Sequence, residues 1–137
     1  MRFILFILLC LLIAFEGQAQ TTQTYSEAEQ MGVMAGLAYA CGSTQKLKDF
    51  ELIATQILAN KSTSDEETNQ KLQQFATTKY RYMKRQKDSP RMSCKEVLEH
   101  FNNMPIFQST VYSDGTIKMY DGTWLKPKYK TIQIQMR

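Results

Sequence analysis

The chain has 137 residues, 43% of them hydrophobic and 22% charged, with 17 Lys and Arg against 13 Asp and Glu for a net charge of +4. That length suits one compact domain able to bury its own core, and there is no internal repeat or low-complexity run. A single histidine, three cysteines and no CxxC pair supply no ligand set for a structural metal, so neither a metal nor a cofactor is expected.

The first nineteen residues read as a leader. Met1 and Arg2 give a short positive start, residues 3–15 form an unbroken apolar run, and Gly17-Gln18-Ala19 places small residues at −3 and −1 of a cleavage after Ala19. Those parts in that order are a secretory signal peptide. A membrane span needs about 20 apolar residues, which this run does not reach. Lipid attachment at Cys10 is disfavoured because Leu9 precedes it where a small residue is needed. The expectation is a signal peptide over 1–19 and a single mature domain over 20–137, secreted or periplasmic. Arg2 and Glu16 leave together, so the charge is unchanged. The next apolar stretch, 31–41, is short and carries two glycines, so no transmembrane segment is expected after cleavage. Only Cys41 and Cys94 then remain, and two cysteines in an exported chain most simply form one disulfide. It would close a loop of about 50 residues, worth roughly 4 kcal/mol in the chain-entropy model.

Four helices are expected over 26–103. The first spans 26–41: Ser26 and Glu29 make a capping box, and Gly42 follows as a left-handed stop. Met31, Met34, Leu37 and Cys41 mark an apolar edge. Ala28, Gly32, Gly36 and Ala40 recur every four residues, a ridge that lets another backbone approach closely. Two mid-helix glycines cost about 1 kcal/mol each against alanine, so a close contact should offset them, either within the domain or in a homodimer through Gly32 and Gly36. The second helix spans 45–59 behind Ser43 or Thr44, with Leu47, Phe50, Ile53, Ala54, Ile57 and Leu58 in helical period. Residues 60–63 read as a turn, and Asn60-Lys61-Ser62 matches a glycosylation sequon that matters only in a eukaryotic secretory pathway. The third helix starts at Ser64 with Glu67 as box partner and ends near Lys87. Leu72, Phe75, Ala76, Lys79, Tyr80 and Met83 trace its inner face. The fourth starts at Ser93 with Glu96, carries the stripe Cys94, Val97, Leu98 and Phe101, and stops at Asn103 and Pro105.

Beyond Pro105 the period changes. Residues 106–112 are rich in β-branched and aromatic side chains, Asp114-Gly115 and Asp121-Gly122 are hairpin-turn dipeptides, and 131–136 alternates as T-I-Q-I-Q-M. The fold class is therefore α+β, mainly α: about four disulfide-linked helices with a β-rich tail, 106–136, as an antiparallel hairpin or meander. A lone hairpin is marginal in water, so Trp124, Phe107 and Ile117 should pack it on the helices.

The candidates for chemistry are few. His100 is the only side chain that ordinarily titrates near neutral pH, and a minor hydrolase would use it with an Asp, though no nucleophile elbow is present. Asp114 and Asp121 read as turn residues rather than paired catalytic carboxylates. The stronger feature is a basic stretch of Lys79, Arg81, Lys84, Arg85, Lys87, Arg91 and Lys95, interleaved with Tyr80 and Tyr82 and opposed only by Asp88 and Glu96. Lys126, Lys128, Lys130 and Arg137 form a second group. The expectation is a non-enzymatic exported protein, in the manner of a secreted effector or an immunity or accessory factor. Lys79, Arg81, Lys84, Arg85, Lys87 and Arg91 would bind an acidic protein, a lipid headgroup or a glycan. Nucleic acid ranks below these, since an exported protein meets it less often.

Overall fold

The computed structural model describes residues 24–128; the leader and the alternating stretch 131–136 lie outside them. The element order is α1 (Glu27–Ala40), α2 (Gln45–Asn60), α3 (Asp65–Asp88), α4 (Cys94–Asn102), a 3-10 helix (Pro105–Gln108), β1 (Thr110–Val111), β2 (Ile117–Lys118) and β3 (Trp124–Leu125). The class is the α+β, mainly helical arrangement expected. Among the described residues no helix is long and apolar enough to cross a membrane.

Helix starts follow the capping chemistry. Ser26 and Ser93 each form both halves of a capping box, with Glu29 and Glu96 reaching back to the cap nitrogen. At α3 only half forms. Ser64 accepts from the Glu67 amide, but the Glu67 carboxylate reaches one residue further back, to the amide and hydroxyl of Thr63 at 2.9 and 2.7 Å. The helix α2 starts behind Thr44 without a side-chain cap and runs through Asn60, so Asn60 sits in the last turn of a helix and not in a turn between helices.

The most extensive helix contact is α1 against α3, and the small-residue ridge makes it. A Cβ on Gly32 would lie 2.6 Å from the Phe75 carbonyl oxygen, and one on Gly36 would fall closer still to that of Lys79. The buried face of α1 is Ala28, Gly32, Ala35, Gly36 and Ala38, while Met31 and Met34 are only partly buried at its edge. This ridge is therefore filled by α3 of the same chain, and a homodimer could use it only if α3 withdrew.

The core lies where α2 meets α3, α4 and the tail. Phe50, Phe75 and Phe101 are fully buried, and the rings of Phe50, Phe101 and Phe107 cluster with centroids 5.2–6.3 Å apart. On α3, Phe75 and Thr78 point inward, but Tyr80, expected on the inner face, is 56% exposed. On α4, Val97 and Phe101 are buried, whereas Cys94 is exposed at the helix start. The Cys41–Cys94 disulfide joins the end of α1 to the first residue of α4 with Cα atoms 5.2 Å apart, so the expected covalent link is present.

The tail departs from expectation at both ends. Residues 105–108 form a 3-10 turn instead of opening a strand, because Pro105 at its first position presets helical φ and the adjacent Ile106 and Phe107 both turn inward. A strand would send neighbours to opposite faces. The sheet is a meander, β1-β2-β3, all antiparallel. Both Asp-Gly turns form. Gly115 and Gly122 adopt φ of 85° and 88°, and Asp114 and Asp121 each accept the amide of the residue two further on at 2.9 Å. Ile117, Met119 and Leu125 face the core. Trp124 does not, because its register opposite Lys118 puts it on the outer row. It is 54% exposed and stacks on Tyr112 at 5.5 Å. The tail is fastened to α2 by Asn60, whose side-chain amide donates to the Lys126 carbonyl and whose oxygen accepts its amide, and by Gln56, which accepts from Lys128.

Candidate functional site

Helix α3 is charged oppositely at its two ends. Asp65, Glu66 and Glu67 occupy its first turn and Arg85 and Lys87 its last, the arrangement that complements a helix dipole. The dipole accounts for those terminal residues and not for the basic residues that extend the group in both directions. Arg81, Lys84 and Arg85 stand at i, i+3 and i+4, so they share one face, and all three are exposed. Arg91, on the connection to α4, and Lys95, in its first turn, are exposed as well.

Lys79 does not belong to this surface. At about 100° per residue it lies roughly 200° round the helix from Arg81, which turns it inward. It is 3% exposed, its ammonium pairs with Glu51 of α2, and it sits 5.3 Å above the ring of Tyr39. Burial of an ammonium requires such a partner, so Lys79 is an internal staple between α2 and α3. Lys87 also leans toward Tyr39, at 5.4 Å. Of the six residues expected to bind, the structure therefore brings Arg81, Lys84 and Arg85 onto one face, sets Arg91 across a cleft from Arg85, turns Lys87 aside and removes Lys79. Lys126 and Lys128 are exposed on the tail, and Lys130 and Arg137 lie outside the described residues.

The ion pairs among the described residues are Lys61–Glu27, Lys71–Glu67 and Lys79–Glu51. None involves Arg81, Lys84, Arg85, Lys87, Arg91 or Lys95. None of these cations pairs directly with a carboxylate among the described residues.

Three further features fix the local geometry. The Arg85 guanidinium lies 5.4 Å from the Tyr82 ring, near enough for a cation–π contact. The Tyr82 and Tyr25 hydroxyls share a 2.8 Å hydrogen bond, which is the main cause holding the Tyr25 phenol above its ordinary pKa. Gln86 is buried, donates to the Met92 carbonyl at 2.8 Å and lies 3.8 Å from Cys41 Sγ. It ties the 89–93 connection to the disulfide. Its place two turns beyond Lys79 on the inner face is the only sequence sign of that role.

The catalytic alternatives gain no geometry. His100 is exposed in the last turn of α4, one turn after Glu96, and no Asp forms a hydrogen bond or ion pair with it among the described residues. Asp114 and Asp121 have carboxyls held below their ordinary pKa chiefly by the backbone amides they accept, Thr116 and Thr123. They are committed to turn formation.

Family models, curated proteins and solved structures were compared with the chain, and none matches it.

Proposed function

We propose that the chain is an exported, non-enzymatic protein that binds an anionic partner through the surface formed by Arg81, Lys84, Arg85, Arg91 and Lys95. The observation that carries this reading is the exposed face of Arg81, Lys84 and Arg85, with Arg91 across a cleft from Arg85 and Lys95 exposed further along the chain, none of which forms an ion pair with a carboxylate of the described residues, while Lys61, Lys71 and Lys79 each have one. Such a surface projects a positive potential that draws anionic partners and is screened by salt. Export is part of the reading. It rests on the leader-like residues 1–19 and on the disulfide, which persists in oxidising compartments. The partner classes are an acidic protein, a lipid headgroup or a glycan, as for a secreted effector or an immunity or accessory factor.

The test is retention on anionic vesicles, a sulfated glycan and an acidic protein, measured as salt is raised. The parent should bind at least one of them and release it with salt. The triple variant Arg81→Glu, Lys84→Glu, Lys95→Glu should lose that binding with an unchanged Tm. Binding equal to the parent's in the triple variant removes this surface as the partner site.

A further inference from the structure

Where the C-terminal half of α3 passes α1, a cleft of about 290 Å³ opens beside the disulfide. Its lining combines Leu37, Tyr82 and Met92 with two arginines, Arg85 and Arg91, and with Gln86 and Ser89. We infer that this cleft binds a small amphipathic anion, a carboxylate-type head on a short apolar chain. The assignment rests on the same reading of the surface as anion-binding and names the ligand at one place on it.

Charge, size and rigidity argue for that occupant. Neither arginine has an acidic partner among the described residues, and guanidinium forks match the geometry of carboxylate and phosphate oxygens. The volume lies just below the range of about 300–1,000 Å³ typical of small-molecule pockets, so an alkyl chain enters where a folded protein or a sugar chain does not. A bare inorganic anion would leave Leu37, Tyr82 and Met92 uncovered. The walls are already held: Tyr82 by Tyr25, Arg85 by the Tyr82 ring, and the 89–93 connection by Gln86 and the disulfide. A site ordered before binding loses less entropy when it binds.

The experiment is isothermal titration of the disulfide-bonded protein with octanoate, acetate and octyltrimethylammonium. Octanoate should bind one to one, acetate at least about tenfold more weakly, and the cation not at all. Arg85→Gln and Arg91→Gln should each weaken octanoate by about tenfold, the size of one charge-assisted hydrogen bond, with the Tm unchanged. Lys48→Gln, exposed on α2 and outside both the cleft and the basic surface, should bind octanoate as the parent does. Equal binding of octanoate and octyltrimethylammonium overturns the proposal, and so does parent-like octanoate binding in both arginine variants. Anionic vesicles separate the two sources of such a ligand. If vesicle binding falls with Arg85→Gln and Arg91→Gln, the anion is taken from a bilayer; if it persists while octanoate binding is lost, the anion is taken from solution. The broader reading fails separately. Arginine-dependent octanoate binding without any retention on vesicle, glycan or acidic protein leaves the cleft standing and removes the macromolecular partner. Such retention without octanoate binding does the reverse.

Discussion

Glu51 and Lys79 are unequal members of one ion pair. The Lys79 side chain is 4% exposed and that of Glu51 20%, so losing either partner leaves a different residue behind. Glu51→Ala strands a buried ammonium and should destabilise the fold by about 3–5 kcal/mol. Lys79→Met keeps the stem volume and leaves a carboxylate that water still reaches, so it should be milder by at least about 1 kcal/mol. Urea unfolding of both variants measures the difference, and equal losses would show that the pair is not the staple described. The sequence half-disclosed this residue. Its helical period put Lys79 on the inner face, yet its charge grouped it with its basic neighbours. The partner that decides the matter is 28 positions away on another helix, and no local pattern reaches that far. Asn60 is a similar case. As a sequon residue it would need a free side-chain amide, and here that amide is spent on the Gln56 and Lys126 carbonyls. Asn60→Asp, which keeps the acceptor and loses the donor, should therefore loosen the tail, seen as faster amide exchange at Lys126 and Leu125.

Between elements, the contact of α1 with α3 sets what each glycine can become. Gly36→Ala gains about 1 kcal/mol of helix propensity, but its methyl would meet the Lys79 carbonyl, which is backbone and cannot swing away. Overpacking of that kind typically costs about 1–3 kcal/mol, so a net loss of up to about 2 kcal/mol is expected in a thermal melt. A stabilised variant would mean the helices are not in contact at that point. The start of α3 carries a pH-dependent term. Glu67 is held down to about 2, first by Lys71 and then by the amide and hydroxyl of Thr63. A carboxylate whose folded pKa is depressed adds stability above its unfolded value, 4.5, and loses it as pH falls toward the folded one. The Tm of the parent should thus exceed that of Glu67→Gln at neutral pH, and the gap should close between about pH 4.5 and 2. Helices were legible because caps and apolar period are local. The 105–108 turn was not, since β-branched and aromatic content there reflects the demand for Ile106 and Phe107 in one core. The sheet was legible as turns, but its register was not. A shift of one residue exchanges Trp124 for Leu125 at the core, and only pairing with Ile117 decides between them.

For the molecule as a whole, the fold outline followed from local signals, whereas the cleft did not, because its walls come from α1, α3 and the 89–93 connection and meet only in space. What holds that connection against the helices is the disulfide. Cys41 and Cys94 are 53 positions apart, so the bond removes much freedom from the unfolded chain, and the entropic model assigns it roughly 4 kcal/mol. That is a large share of the roughly 5–15 kcal/mol that stabilises a domain. The bond spans two elements that also pack directly, α1 and α4, so its loss should leave the same fold at lower stability. Cys41→Ser with Cys94→Ser should therefore keep a parent-like far-UV spectrum and unfold at lower denaturant, with a larger m-value because the unfolded chain without the cross-link exposes more surface. The oxidised parent treated with reductant should then match the double variant, since both lack only the bond. A parent whose midpoint is indifferent to reductant would mean that these cysteines are not linked in the native protein, and the case for maturation in an oxidising compartment would lose its structural half.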